Sequence, residues 1–206
     1  MSTSHPSTTA DVFAAPPDDP LPLLKSWFDS AVAASVQQPG ALALATADAG
    51  RRVSSRIVQV LQVRPAGLVF ASHTDSRKGR DLAETPWASG VLYWREVARQ
   101  VCVSGPARPL PAQESDALWN ARPVDTHPMS VAAHQSAPLL DEEALRERAR
   151  ELGRDGVALP RPERWVGYLL EPASVEFWQS EPEDRLHRRL RYEREGPGWH
   201  TCRLQP

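Results

Sequence analysis

The apolar positions of the chain follow either the alternating period of a β-strand or the helical period of an α-helix, and the strand period is the more common. Segments with alternating or continuous apolar and β-branched residues, bounded by turn residues, are typical of strands. They cover residues 41–47, 53–63, 67–73, 88–94, 98–105, 165–172, 174–179, 190–195 and 199–204. We expect seven or eight strands from this set. No helix-length segment separates the first three, which favours antiparallel pairing over parallel β-α-β units.

Helical spacing appears between these strands in four segments. The first opens with an Asp-Pro pair, which is a good combination for the N-cap and the first helical position. The helices are expected from Asp19 to Pro39, from Ser76 to Pro86, and over residues 111–123 and 141–153. The last of them is rich in charge and has its few apolar residues on one side, so it is expected on the solvated surface.

The N-terminal segment differs from the rest of the chain. Residues 1–18 are rich in Ser, Thr, Pro and Asp and follow neither period, which predicts a mobile tail. Residues 19–206 are then one folded domain. Many strands with a few helices predict a mainly β or α+β fold, namely a closed or nearly closed antiparallel β-barrel with peripheral helices.

Composition and charge narrow the classes of function. Charged residues make up 24% of the chain and the formal net charge is −2, so the basic excess typical of nucleic-acid binding is missing. No apolar run reaches the ~18 residues that span a bilayer, and the N-terminus does not have the pattern of a signal peptide. Cys102 and Cys202 lie in apolar-alternating segments, which predicts buried, reduced thiols in a cytoplasmic protein.

Sequence motifs for common cofactors and metals are missing as well. The six histidines lack metal-ligand spacing with a nearby Cys, Asp or Glu set, so no metal site is expected. The chain has no G-x-G-x-x-G, no P-loop and no G-x-S-x-G motif. A dinucleotide-binding or α/β-hydrolase fold therefore has no support.

Basic residues at the start of the second helix suggest an anion site. Ser76, Arg77 and Lys78 stand where a strand gives way to a helix, and backbone N–H groups, a hydroxyl and two cations suit a phosphate there. The alternative is an ordinary solvated helix start. Arg56 interrupts an apolar strand, and burying it is costly without an anion or a carboxylate partner.

Further polar and aromatic residues suggest a flat ligand. Gln100 and the pair Gln135–Ser136 can make hydrogen bonds to the edge of a heterocycle. The region around Trp178 contains Arg185, His187 and Arg189, which would share one face of an extended segment. Two guanidinium groups around an imidazole suit a flat, anionic, aromatic ligand. The alternative is an edge strand kept soluble by charge.

The order and spacing of these motifs resemble those of the pyridoxamine 5′-phosphate oxidase family of flavoproteins. The resemblance covers about residues 20–206 and rests on "RIV", "SRKG", "RQV", "ARP", "HQS", "EFWQ", "RLHRR" and the terminal "RLQP". Within that family the chain is most similar to the branch that serves phenazine biosynthesis, through "ASGVLYWRE", "DALWNARP" and "ARPVDTHPMS".

The resemblance implies an FMN-binding split barrel and a homodimer with two FMN molecules in clefts between the subunits. The implied phosphate contacts are Arg56 and Lys78, with Arg77 beside them. Other implied flavin contacts are Ile57, Val58, Gln59, Ser72 and Gln100, while the partner subunit would supply Gln135, Ser136, Trp178 and Arg189. The implied substrate contacts are Arg122, Thr126, Arg185 and His187.

Two leucines depart from the pattern of the vitamin B6 enzymes. Those enzymes carry a lysine and a tyrosine at the positions of Leu61 and Leu118, and both side chains help to hold the substrate phosphate. The resemblance therefore implies an FMN-dependent oxidase of partly reduced phenazine carboxylic acids that uses dioxygen and releases hydrogen peroxide. A pyridoxamine/pyridoxine 5′-phosphate oxidase and a flavin carrier or sensor without turnover are the alternatives.

Overall fold

This computed structural model describes residues 11–206 of the chain. They contain nine strands and five α-helices. The strands are β1 Ala41–Ala47, β2 Val53–Arg64, β3 Gly67–His73, β4 Trp87–Trp94, β5 Arg99–Pro109, β6 Trp165–Leu170, β7 Ser174–Gln179, β8 Arg188–Glu195 and β9 Gly198–Arg203. The helices are α1 Pro20–Ala33, α2 Arg77–Glu84, α3 Ala112–Asn120, α4 His127–Ala132 and α5 Glu142–Gly153. Each of the nine strand-like segments in the sequence corresponds to a strand, so the expected number of seven or eight strands was too low.

The strands form an antiparallel barrel that is split at one strand. The order β4-β1-β2-β3-β6-β5 is closed by pairing between β4 and β5, and β7, β8 and β9 continue outward from β5. The first part of β5 pairs with β7 and its last residues, Ala107–Pro109, pair with β6. At the change of partner, a side chain on Gly105 would collide with the carbonyl oxygen of Glu171, so this close approach requires glycine. The expected antiparallel split barrel is confirmed.

Two apolar cores hold the barrel and its helices together. The larger core fills the barrel and receives one face of α1, where the ring of Trp27 meets that of Phe177 edge-on at 5.1 Å. The smaller core lies between α3 and the outer side of β3 and β6, and it consists of Val69, Leu118, Trp119 and Trp165. The smaller core matters for the site because one of its residues, Trp165, lines the cavity described below.

The helices match the predicted positions with two differences. Helix α1 ends at Ala33 rather than near Pro39, because Ser35 adopts a left-handed conformation (φ 57°) and the N–H of Val36 bonds back to the carbonyl of Ala31. Helix α4 was missed, since six residues are too few to show a period. Helix α5 lies on the surface as expected and has no buried residue.

The predicted boundary between tail and domain at residue 18 was wrong. Residues 1–10 of the predicted tail lie outside the described residues. Phe13 is buried against Trp27, the carboxylate of Asp11 pairs with Arg188, and the carbonyl of Pro17 accepts a hydrogen bond of 3.0 Å from the hydroxyl of Tyr192. Phe13, an aromatic residue in a segment rich in Ser and Pro, was the sign that this part of the chain packs on the domain, and an argument from composition alone overlooked it.

The two cysteines are free, and they are not both buried. Cys102 on β5 is half-buried and Cys202 on β9 is exposed, so the prediction of two buried thiols was wrong for the second. Both β8 and β9 lie beyond the closed barrel, which leaves alternate positions of β9 open to solvent. No α-helix within residues 11–206 is long and apolar enough to cross a membrane. The same residues contain no group of three or more His, Cys, Asp or Glu placed to hold a metal ion.

Candidate functional site

A cavity of about 650 Å³ opens on the outside of the barrel where β2 and β3 meet α2. It brings together many residues that the sequence singled out, namely Arg56, Ile57, Val58, Gln59, Leu61, Ser72, Arg77, Lys78, Arg122, Gln135 and Ser136. It also contains residues that the sequence did not indicate, namely Ser54, Ser55, Ala71, His73, Ser130 and Trp165. Segments far apart in the chain therefore converge on one site.

Lys78 is the most unusual charged group of the cavity. Only 7% of the residue is exposed, and its ammonium nitrogen donates hydrogen bonds to Ser72 Oγ at 3.0 Å and Gln135 Oε1 at 2.8 Å. Burial, with a smaller contribution from the positive charge of Arg56, lowers the pKa of Lys78 to about 8. A buried ammonium with neutral partners and a second cation nearby is stabilised by an anion.

Arg56 lies beside Lys78, and hydrogen bonds to two hydroxyl groups hold its guanidinium in place. One terminal nitrogen donates to Thr46 Oγ1 at 2.8 Å, and the other donates to Ser54 Oγ at 2.5 Å. Asp81 lies 4.0 Å away and accepts hydrogen bonds from both hydroxyls, so the carboxylate partner that the sequence required is reached mainly through Thr46 and Ser54. Burial lowers the pKa of Arg56, while Asp81 opposes this shift. The guanidinium is held in place and retains capacity for a further anion.

The start of α2 is pressed against the end of β3. Ser76 caps the helix as expected by accepting a hydrogen bond of 3.1 Å from the N–H of Gly79. A side chain on Gly79 would collide with the carbonyl oxygens of His73 and Thr74, so glycine permits this close packing. The packing turns Lys78 into the cavity, whereas Arg77 at its edge remains exposed.

The segment with Gln135 and Ser136 belongs to the same cavity of the same chain. Gln135 accepts from Lys78, and Ser136 Oγ accepts from the backbone N–H of Arg77 at 3.3 Å. His134 fastens the segment through a bond of 2.8 Å between its Nδ1 and Asp75 Oδ2. The expectation that a partner subunit supplies Gln135 and Ser136 to this site was therefore wrong, because chain folding alone brings them there.

The other end of the cavity is aromatic and contains a second cation. The guanidinium of Arg122 lies over the rings of Trp119 and Trp165, at 4.9 and 5.3 Å from their centroids. One terminal nitrogen donates to Ser130 Oγ at 3.0 Å, while the other has no hydrogen-bond partner. Burial lowers the pKa of Arg122. Arginine tolerates such an apolar setting because its charge is delocalised and its plane stacks on aromatic rings.

The three remaining residues of the predicted substrate end have different environments. The pairing register of β2 with β3 shifts at Leu61. Leu61 lines the cavity, and 41% of its surface is exposed. Leu118 is only 6% exposed and belongs to the smaller core behind Trp165, so it does not line the cavity. Thr126, an expected substrate contact, donates its hydroxyl to the carbonyl of Pro123 and does not line the cavity. Ser130, one helical turn further on, lines the cavity instead.

Gln100, Trp178 and Arg189 form a separate group on the outer side of β5, β7 and β8. The three are direct neighbours in the strand registers. Arg189 is paired with Glu176 at 2.6 Å. Strand β5 is three strands from β2 in either direction around the barrel, so the path along the barrel wall from Gln100 to β2 is roughly 14 Å at ~4.8 Å per strand. Gln100 was expected beside Arg56, and the structure groups it with Trp178 and Arg189 instead.

The predicted common face of Arg185, His187 and Arg189 was wrong. Arg185 is in the left-handed conformation (φ 62°) in the turn before β8, and the strand begins only at Arg188. His187 packs instead on the ring of Trp178, with 5.1 Å between the ring centroids. Period-two alternation cannot be extended through a turn, which is the physical reason for the error.

Exposed apolar side chains cover the outer barrel wall between the cavity and the group around Gln100. Ile57 and Val53 on β2, together with Tyr93 and Trp87 on β4, are each at least half exposed. Strand β1 joins them with small residues such as Ala43, which lies opposite Ile57 and Val91. A cluster of exposed apolar side chains of this kind is typical of a surface that another molecule covers.

The fold is that of a split-barrel protein, and its cavity is lined by several cations, among them the buried Lys78. A family model described as pyridoxamine 5′-phosphate oxidase matches residues 28–153. A second, described as the pyridoxine 5′-phosphate oxidase C-terminal dimerisation region, matches residues 165–206. The chain belongs to the pyridoxamine 5′-phosphate oxidase family.

The curated relatives include proteins of two names. The dihydrophenazinedicarboxylate synthase of Burkholderia lata is 54% identical over 191 residues, which are 93% of this chain and 90% of that protein. A crystal structure of PhzG from Burkholderia lata with tetrahydrophenazine-1-carboxylic acid has a TM-score of 0.93 at 52% identity and covers 97% and 98% of the two chains. A pyridoxine/pyridoxamine 5′-phosphate oxidase of Polynucleobacter asymbioticus is 40% identical over 92% of this chain and 90% of that protein.

Proposed function

We propose that the protein is a cytoplasmic, FMN-dependent oxidase of partly reduced phenazine carboxylic acids. Dioxygen is the final acceptor and hydrogen peroxide is the second product. The observation that carries the proposal is one cavity with a cation at each end, where Lys78 sits among hydroxyl and amide oxygens and Arg122 sits on indole rings. The similarity to phenazine enzymes of more than 50% identity supports the choice of substrate class.

The Lys78 end fits the phosphate of FMN. Lys78 and Arg56 would bind phosphate oxygens from two sides, with Arg77 and Ser136 at the edge of the site. The flavin would supply a two-electron acceptor, and the protein would bind and orient it. Ile57, Val58 and Gln59 follow Arg56 along β2 in the same cavity wall, which provides an extended strand for the ring system.

A homodimer would complete this site. The exposed apolar face separates the cavity from Gln100, Trp178 and Arg189 of the same chain, so a second copy on that face would bring its own set towards the flavin. The match of residues 165–206 to a dimerisation region supports this arrangement. Light scattering combined with flavin absorbance on dilution tests it, because flavin loss should parallel dimer dissociation. A monomer with stoichiometric FMN would refute the shared site.

The Arg122 end fits a carboxylate next to an aromatic ring. Trp165, Ala71 and Leu61 offer apolar surface beside the guanidinium. At Leu61, where the vitamin B6 enzymes have a lysine, a substrate phosphate would lose hydration and gain no partner. Such a loss costs about 1–3 kcal/mol. In the dimer, Arg185 and His187 of the second copy are proposed to contact the substrate as well.

Peroxide release measured with two substrates tests the proposal. We expect steady-state hydrogen peroxide production with reduced phenazine carboxylic acids and weak production with pyridoxamine 5′-phosphate. Flavin released by heat should be FMN by chromatography. Equal or better use of pyridoxamine 5′-phosphate would favour the second candidate, a vitamin B6 oxidase, which the 40% identity to such enzymes supports. FMN binding without peroxide from either substrate would indicate a flavin carrier, although a carrier has no use for the second cation, Arg122.

A further inference from the structure

A buried histidine in the cavity wall has no part in the function proposed above. His73 is the last residue of β3, is 5% exposed and lines the cavity. Its Nδ1 is buried without a hydrogen-bond partner, and so is Oδ1 of Asp75, which lies 3.8 Å away. A closer approach of about 1 Å would join the two atoms in a hydrogen bond. A donor and an acceptor left unpaired side by side point to a functional pair rather than to packing.

The carboxylate of Asp75 is fixed on its other side. Its Oδ2 bonds to Nδ1 of His134 at 2.8 Å and lies 3.9 Å from Nε of Arg164. The Oδ1 atom therefore remains directed at His73. A carboxylate opposite Nδ1 favours the tautomer with the proton on Nδ1, which leaves the lone pair on Nε2.

The surroundings of His73 keep its imidazole neutral. Burial is the main cause that lowers the pKa of His73 to about 4; the positive charges of Arg164, Lys78 and Arg122 contribute to this shift, and Asp75 opposes it. Anions bound at Lys78 and Arg122 would offset two of these charges and raise the pKa of His73 towards the range in which an imidazole works as a proton acceptor. Lys78 and Arg122 also mark the two ends of the cavity, so His73 lies within electrostatic range of both ligand anions.

The position of His73 relates it to the aromatic end of the site. His73 is the register partner of Trp165 across β3 and β6, and Trp165 carries the guanidinium of Arg122 on its ring. A fused ring system bound through its carboxylate at Arg122 and packed along Trp165 would have its heteroatoms near His73. A reduced phenazine carries its N–H groups on the central ring, next to the ring that bears the carboxylate.

We propose that Nε2 of His73 accepts the proton that a ring N–H group of the substrate loses on oxidation, and that Asp75 positions the imidazole for this role. The proposal rests on the proposed function. When a CH–NH unit becomes C=N, the C–H bond breaks and its electron pair leaves with the hydrogen as hydride, for which bound FMN would be the acceptor. The electron pair of the N–H bond forms the new bond between carbon and nitrogen, and the proton moves to His73.

Nitrogen NMR of the protein with FMN bound tests the tautomer without relying on turnover. In protein labelled with ¹⁵N-histidine, we expect His73 to be neutral at pH 7 with its proton on Nδ1. The Asp75→Asn variant should lose this preference, because an amide can donate to Nδ1 as well as accept from it. The variant should keep its FMN, since the amide can still form the hydrogen bond to His134 that holds the segment with Gln135 and Ser136. A proton on Nε2 in the wild type, or a protonated ring at pH 7, would overturn the proposal.

Kinetics of a variant without the basic nitrogen tests the role. His73→Gln should lower kcat with reduced phenazine acids about 100-fold, as expected for loss of a general base, with KM changed by less than about threefold. FMN content and dimer state should stay the same. His200→Gln is the control, since it removes an imidazole on β9 outside the cavity. His73→Asn serves as a second variant if the glutamine variant does not fold.

The outcomes separate this inference from the proposed function. Wild-type protein that does not oxidise reduced phenazine acids refutes the proposed function, and the NMR experiment still decides the tautomer. Wild-type turnover with an unchanged kcat in the His73 variants refutes the proton-accepting role alone. A drop in kcat accompanied by loss of FMN would assign His73 a structural role and would also refute the proposal.

Discussion

The two ends of the cavity hold their cations in opposite ways. Lys78 is surrounded by oxygen atoms of Ser72 and Gln135, whereas Arg122 lies on the rings of Trp119 and Trp165. An ammonium is a compact, strongly hydrated charge, so burial lowers its pKa and makes an anion the most stabilising partner. A guanidinium stays charged on an aromatic surface. The first environment suits a phosphate, and the second suits a carboxylate on a flat ring.

Removal of Lys78 is expected to have the largest effect and to act on the phosphate end alone. A charge-assisted hydrogen bond contributes about 1.5–3 kcal/mol, so Lys78→Ala should weaken FMN binding about 10- to 100-fold. Fluorescence quenching during flavin titration measures this change. Arg80→Ala, on the same helix but outside the cavity, is the control. Equal FMN affinity in the Lys78 variant would show that the ammonium does not bind phosphate.

The pH dependence of flavin binding should reveal the same lysine. Because the pKa of Lys78 is about 8 without an anion, the free protein loses this charge as the pH rises through 8. Phosphate binding must then return the proton, so FMN affinity should fall about tenfold between pH 7 and pH 9. Riboflavin has no phosphate, and its affinity should change much less over this range. Parallel pH curves for FMN and riboflavin would contradict the assignment.

Replacement of Arg122 by lysine should affect only the aromatic end. An ammonium cannot stack between two indole rings and would lose the hydrogen bond to Ser130, so the carboxylate should bind less firmly. Arg122→Lys is expected to raise KM for reduced phenazine acids about five- to tenfold and to leave FMN affinity unchanged. Arg108→Lys on the exposed end of β5 is the control. Weakened FMN binding in Arg122→Lys would mean that the two ends are not independent.

The smallest effect is expected at Leu61, where the comparison with the vitamin B6 enzymes is sharpest. Leu61→Lys should shift the ratio of specificity constants towards pyridoxamine 5′-phosphate by a few-fold, because an ammonium there offers one charged contact. Gln62→Lys adds the same charge beside the cavity and should not change the ratio. Leu118→Tyr is a poor companion change, since Leu118 is buried next to Gly167 and a larger ring would overpack the core. An unchanged ratio in Leu61→Lys would remove Leu61 from the specificity of the site.

Much of the fold, and the presence of Arg56 and Lys78 at the cavity, could be predicted from the sequence because the signals are local. Alternation of apolar residues located all nine strands, and an arginine inside the strand containing Ile57 together with the Ser-Arg-Lys sequence at a helix start indicated Arg56 and Lys78. Burial penalises charge wherever it occurs, so cations in apolar segments stand out without knowledge of the tertiary structure.

The tertiary structure alone decided which residues share one cavity within a chain. Packing of the segment after α4 against the start of α2 places Gln135 on Lys78, and the strand order puts Gln100 three strands from β2; no local period contains that information. Leu118 faces the core rather than the ligand because α3 packs on β6, and His73 matters because Asp75, Arg164 and Arg122 converge on it. Strand alternation determines the face of each side chain, whereas the distance between side chains depends on how the barrel closes.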